Sequence, residues 1–185
     1  MQSIENLNQL IMIDFTNIEY LKNGNQKQIQ AFDVLTQNKI LINLAEFDPI
    51  LVGTLPINID IENSDLDIIC YWKNKKDFTE KLNSLFGKEN KFTIRETLID
   101  NKESIIVTFK IDGFEIEIFG QNIPTKNQNG YKHMLIEHEI LQSNDESFRL
   151  DIIRLKQNGY KTEPAFAFLL GLKGNPYLEL LEYKM

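Results

Sequence analysis

The run Ile50-Leu51-Val52-Gly53-Thr54 and, after ten intervening residues, Asp65-Leu66-Asp67-Ile68-Ile69-Cys70-Tyr71-Trp72 decide the fold of this 185-residue chain. An apolar run that ends on glycine reads as a buried strand leaving its sheet through a tight turn. The second run is apolar from Ile68 onward and reads as another strand with two acids at its entry. Residues two apart on a strand project from one face, so Asp65 and Asp67 point together and repel unless a cation lies between them. Glycine lets a backbone approach a polyphosphate closely, and Thr54 can donate both its N–H and its hydroxyl to phosphate oxygens. Paired carboxylates beside such a turn can hold Mg²⁺ or Mn²⁺ against the phosphates of an NTP.

Upstream, Ile29, Phe32, Val34 and Leu35 share one side of a helix opened by Asn23-Gly24-Asn25, and residues 49–52 form the short strand entering Gly53. Ile57, Ile59 and Ile61 alternate with Asn58, Asp60 and Glu62, an extended connector with a polar side for water. Residues 65–72 are the next strand, and Phe78, Leu82, Leu85 and Phe86 mark a helix stopped by Gly87. Strands follow over 92–99, 104–111 and 114–119, separated by Asp100-Asn101-Lys102 and Asp112-Gly113, which have hairpin-turn chemistry. From Gln128 the pattern is helical, with breaks near Ser143-Asn144, Asn158-Gly159 and Gly174-Asn175-Pro176. The class is α+β: a mixed sheet with flanking helices and a C-terminal helical tail. Residues 1–185 are expected to form a single domain, with a core over 1–127 and a tail over 128–185 packed on it.

Two acids on a neighbouring strand could complete the site, Glu115 and Glu117 in Phe114-Glu115-Ile116-Glu117-Ile118-Phe119-Gly120. Glu117 is favoured because it lies nearer the strand's end and the following loop. The competing pair Asp60 and Glu62 sits too close to the turn and reads as a solvated edge.

Composition excludes several classes. A net charge of -7 and only three arginines argue against a protein that coats nucleic acid, since phosphate neutralisation needs clustered cations. The single Cys70 lies in an apolar strand, so there is neither a disulfide framework nor a zinc-ligand spacing. The N-terminus, where Glu5 and Asp14 interrupt a short apolar stretch, carries no charged leader region, and no window is apolar enough to span a membrane. A cytoplasmic location is expected.

Gly53-Thr54, Asp65-Leu66-Asp67 and the later acidic strand resemble the DNA-polymerase-beta-like nucleotidyltransferase superfamily, with Thr54 at the position where serine is commoner. Gly53-Thr54-Leu55-Pro56-Ile57, Ser64-Asp65-Leu66-Asp67-Ile68, Glu117-Ile118-Phe119-Gly120-Gln121, Gln128-Asn129-Gly130-Tyr131-Lys132-His133-Met134 and Lys161-Thr162-Glu163-Pro164-Ala165-Phe166-Ala167 are similar to a small bacterial family, domain of unknown function 4269. The resemblance runs from about Leu51 to Glu182. It implies the superfamily fold, with Asp65 and Asp67 on both metal ions, Glu117 on the catalytic ion, and Gly53, Thr54 and Ser64 on the nucleotide. It also implies transfer of a nucleoside monophosphate from an NTP to an acceptor hydroxyl with release of pyrophosphate. The acidic composition favours a small-molecule or protein acceptor over nucleic acid. The alternative is a non-catalytic nucleotide- or metal-binding or interaction module, such as one half of a toxin-antitoxin pair.

Other residues carry weaker signals. His133 and His138 are five apart, about 140° around a helix, and cannot share a metal as an i, i+4 pair would. His133 reads as a surface partner of Glu137, or else faces the cleft with Asn129 and Tyr131. Arg154 reads as a partner of Asp151. Thr162 is the expected N-cap of a helix, and Lys161 beside it can reach a phosphate. Phe166, Phe168, Leu169, Leu170 and Leu172 read as core-forming surface, and Trp72 as core, with base stacking as its other use.

Overall fold

A computed structural model describes residues 13–184 of the chain. Of the N-terminal stretch read above, Glu5 lies outside the described residues. Five strands form one sheet in the order β1-β2-β5-β4-β3: β1 (Ile50–Val52), β2 (Leu66–Tyr71), β3 (Asn90–Ile99), β4 (Lys102–Ile111) and β5 (Phe114–Gln121). β2 and β5 run parallel, and every other neighbouring pair is antiparallel. The sheet is therefore mixed, as the α+β reading expects. Both hairpins turn on residues with positive φ, Asp100 and Asn101 in one and Asp112 and Gly113 in the other. Positive φ at both central positions matches the right-handed twist of the strands they join.

Seven α-helices lie among the described residues: α1 (Gln26–Gln37), α2 (Ile40–Asn43), α3 (Lys75–Phe86), α4 (Asn129–Ser143), α5 (Glu146–Gln157), α6 (Thr162–Leu170) and α7 (Pro176–Glu182). Asn25 caps α1 in a reciprocal box with Gln28, and Asn74 caps α3. The sheet separates two buried clusters, because successive strand side chains point to opposite faces. Leu66, Ile68 and Cys70 of β2 and Ile116 and Ile118 of β5 join Leu35 of α1 and Phe78 and Leu82 of α3. On the other face Ile50, Val52 and Ile69 meet Met134 of α4, Ile152 of α5, Phe166 of α6 and Leu180 of α7. Asp67 and Glu117, out of phase with the first set, project from the face that α4 to α7 cover.

Gly120 fixes how closely α3 approaches. A Cβ built there would lie 2.6 Å from Cζ of the fully buried Phe78. Any larger residue would push the helix off β5.

Several local expectations differ from the structure. The connector after Gly53 is a succession of turns rather than an extended segment, with Asn58 left-handed at φ 60. Ile57 and Ile59 are buried all the same. Lys161, not Thr162, is the N-cap of α6, and no side chain caps that helix. Phe168 is 61% exposed, because it faces away from the sheet while Phe166, two residues earlier, is fully buried. Trp72 is buried just beyond β2, and Arg154 is paired with Asp151 at 2.7 Å. Cys70 is a buried free thiol.

Candidate functional site

The loop between β1 and β2 begins at Gly53, whose φ of 82 is open to glycine and strained for other residues. A Cβ there would lie 3.3 Å from Cγ of Asp67 and closer still to its Oδ2. The glycine therefore serves both the turn and the room that Asp67 occupies. Thr54 Oγ1 donates to Ser64 Oγ at 3.3 Å, and Ser64 Oγ accepts from the Ile61 N–H at 2.9 Å.

Long side chains from two helices hold the loop by its carbonyls. From α1, Lys27 donates to Ile61 O at 2.6 Å and Gln28 to Leu55 O at 2.8 Å. From α5, Arg149 donates to Asn58 O at 2.8 Å and Lys156 to Ile59 O at 2.6 Å. Turn backbone that makes no sheet ladder needs such partners when it is buried. The resulting brace keeps Gly53 and Thr54 beside the acids. Asp60 belongs to this braced loop, accepting from Asn25 Nδ2 at 3.3 Å, and is not on a strand edge.

Asp67 on β2 and Glu117 on β5 are direct partners in the parallel register. Burial pushes the Asp67 carboxyl up to about 8, with further raising by Asp65 and then Glu117. Burial likewise raises Glu117, followed by Asp65, while Arg95 opposes. Asp65, immediately before the strand, is thus close enough to act on both. A group of carboxylates that destabilise one another's charge is suited to a divalent cation. The residues present fit Mg²⁺ or Mn²⁺ as an oxygen-ligated ion.

A cavity of about 700 Å³ opens on this face, within the size range of small-molecule sites. Gly53, Thr54, Asp67 and Glu117 line it, as do Asn129, His133 and Lys161 from the tail. Ser64, Asp65 and Glu115 are not among its lining residues. Glu115 is exposed and lies 3.3 Å from Lys110.

Sequence reasoning missed five charged residues in the lining: Arg95, Asp100, Lys102, Glu137 and Glu163. Arg95 and Lys102 come from the β3-β4 hairpin, where isolated cations look like ordinary solvated positions. Glu137 was expected at the surface with His133, but both are buried, at 3% and 6% exposure. They form a group with Glu163 in which one potential ligand atom from each residue lies within 4.8 Å of the others. The i, i+4 spacing of His133 and Glu137 was the available signal; the position of Glu163 across from them was not visible in it.

Residues 33–183 match the family model described as Domain of unknown function (DUF4269). The chain belongs to the DUF4269 family. No curated protein matches it by sequence. Among solved structures, this DUF4269 chain is similar to the polymerase core of TRAMP, an RNA surveillance complex, at a TM-score of 0.52 and 13% identity. That match covers 85% of this chain and 48% of the other. It is also similar to the Cid1 poly(U) polymerase with Mg 3′-dATP bound, at a TM-score of 0.52 and 14% identity, covering 84% of this chain and 48% of that one. The DUF4269 chain thus spans about half the length of these solved chains. The shared fold is the polymerase-beta-like nucleotidyltransferase fold. No helix among the described residues is long and apolar enough to cross a membrane.

Proposed function

We propose that the chain transfers a nucleoside monophosphate from an NTP to an acceptor hydroxyl and releases pyrophosphate. The observation that carries this reading is the side-by-side placement of Asp67 and Glu117 in a cavity that Gly53 and Thr54 also line. Asp65, Asp67 and Glu117 would hold Mg²⁺ or Mn²⁺, which supplies charge neutralisation on the phosphates when bound.

The remaining roles belong to the chain's own groups. Gly53 leaves the backbone accessible to the triphosphate, and Thr54 adds its hydroxyl. Arg95, Lys102 and Lys161 line the same cavity and offset phosphate charge in a chain that is acidic overall. Glu117, with a carboxyl raised by burial, is placed to take the proton of the acceptor hydroxyl. The acceptor oxygen then bonds to the α-phosphorus as the bond to the pyrophosphate oxygen breaks. The protein's contribution is mainly positioning and charge compensation. With a net charge of -7, a small-molecule or protein acceptor is favoured over an RNA of the kind the solved poly(U) polymerase extends.

The test is incubation with each α-labelled NTP, Mg²⁺ and fractionated cell extract, following label and pyrophosphate together. Stoichiometric label transfer and pyrophosphate release, lost in Asp67→Asn, are expected. Absence of both with every NTP, together with no measurable NTP affinity, would overturn the assignment.

A further inference from the structure

We infer that His133, Glu137 and Glu163 form a second metal site, which binds a divalent transition-metal ion with one coordination position open to the cavity. His133 and Glu137 stand one turn apart on α4, and Glu163 lies in the first turn of α6. One ligand atom from each lies within 4.8 Å of the other two. In a tetrahedral shell with bonds of ~2.1 Å neighbouring ligand atoms lie ~3.4 Å apart, so side-chain adjustments that shorten each separation by up to ~1.4 Å close it.

The independent observation is the unsatisfied state of these buried groups. His133 is 6% exposed and Glu137 3%, yet His133 Nδ1 and Glu137 Oε1 have no hydrogen-bond partner. Buried polar atoms without partners are uncommon, because each forfeits its hydration. Lys156 opposes the buried charge of Glu137, but its ammonium is engaged with Ile59 O at 2.6 Å. A cation among the three side chains would satisfy the imidazole nitrogen and the carboxylate oxygen together.

The donor set selects the class of ion. One imidazole nitrogen with two carboxylates suits Zn²⁺ and its neighbours better than Mg²⁺, which prefers an oxygen shell. Three protein ligands leave a fourth position free. All three side chains line the cavity, so that position faces the same space as Asp67 and Glu117. An oxygen or nitrogen donor of the acceptor is the group it would take. The site also ties α4 to the start of α6.

The experiment is equilibrium dialysis of the full chain against Zn²⁺ without nucleotide, using wild type, the double variant Asp65→Asn/Asp67→Asn, His133→Gln and Glu163→Gln. Thermal melts of each variant establish folding. One Zn²⁺ per chain should remain in the double variant, which separates this site from the proposed nucleotide site. Losing a direct ligand in His133→Gln or Glu163→Gln should weaken binding by more than the ~10- to 100-fold of an outer-shell change. The half-buried Glu163 makes its variant the informative one if His133→Gln does not fold. Anomalous scattering at the zinc edge should place the ion between α4 and α6. Loss of Zn²⁺ in the double variant, or unchanged affinity in folded Glu163→Gln, would overturn the inference.

Discussion

Asp67 of β2 and Glu117 of β5 are register partners on adjacent parallel strands, fifty residues apart in sequence. The alternation that buries Ile68 and Ile118 beneath α1 and α3 turns these two acids to the opposite face. Their repulsion is built into the sheet.

Asp67→Asn keeps the shape of the side chain and removes the charge that burial and Asp65 disfavour. Metal-dependent NTP binding should fall at least ~100-fold, while the thermal midpoint in EDTA stays level or rises. Calorimetric titration beside thermal melts checks both halves. Unchanged NTP affinity in this variant would remove Asp67 from the site.

Glu117→Gln should lower the transfer rate by about 100-fold or more and spare most of the NTP affinity, given its assigned place at the acceptor proton. Glu115→Gln should do much less, since Glu115 is exposed beside Lys110. Single-turnover rates for the two variants decide between them. A larger loss at Glu115 would reverse the assignment.

Gly53→Ala puts a methyl group against the Asp67 carboxylate in a backbone held at φ 82. A stability loss of about 1–3 kcal/mol is expected, with weaker NTP binding. Denaturant titration gives the first quantity, and a variant as stable as wild type would show that the turn can relax.

Without divalent cations, stability should fall as pH rises. Asp67 has a folded pKa of about 8 against an ordinary 3.8, so folding favours its protonated form. That advantage is complete below about 3.8 and lost as pH rises through about 8. Glu117 and Glu137, both raised, act with the same sign. Lys156 is lowered to about 8, so its protonation cost accrues between its ordinary 10.5 and about 8 and is constant below that window. Burial lowers His133 and His138 below their ordinary 6.5, so these two gain stability as pH rises toward 6.5 and oppose the carboxyls there. Thermal midpoints in EDTA should therefore decline between about pH 6.5 and about pH 8, less steeply in Asp67→Asn and less steeply with excess Mg²⁺. A flat profile in EDTA would contradict the raised carboxyl.

We propose that residues 128–185 fold with the rest as one domain. Ile50, Val52 and Ile69 of the sheet share their buried cluster with Met134, Phe166 and Leu180 of the helices. Removing everything beyond Asp145 should abolish the cooperative thermal transition as well as NTP binding. A truncated chain with a sharp transition and normal affinity would make the tail an appended module.

Much of the fold was legible because its signals are local. The apolar run ending at Gly53, the two-residue spacing of Asp65 and Asp67, and Asp112-Gly113 each bear on geometry within a few residues. Turns replaced the expected extended connector at 57–62, because alternation of Ile57 and Ile59 reports burial without specifying backbone conformation. Thr162 failed as an N-cap for a related reason: the residue type permits capping, but Lys161 occupies that position and α6 begins one residue earlier.

By itself, then, the sequence determined the α+β class and the strand that carries Asp67, with Asp65 immediately before it. Only the tertiary structure decided that Glu117, not Glu115, stands beside Asp67 in the cavity, since strand register follows from the summed packing of both sheet faces. It also decided that Lys27 and Lys156 brace the loop, and that His133 and Glu137 are buried opposite Glu163. These are meetings between residues about 25 to 100 positions apart. They arise where long side chains reach across packed helices, and no periodicity along one segment encodes them.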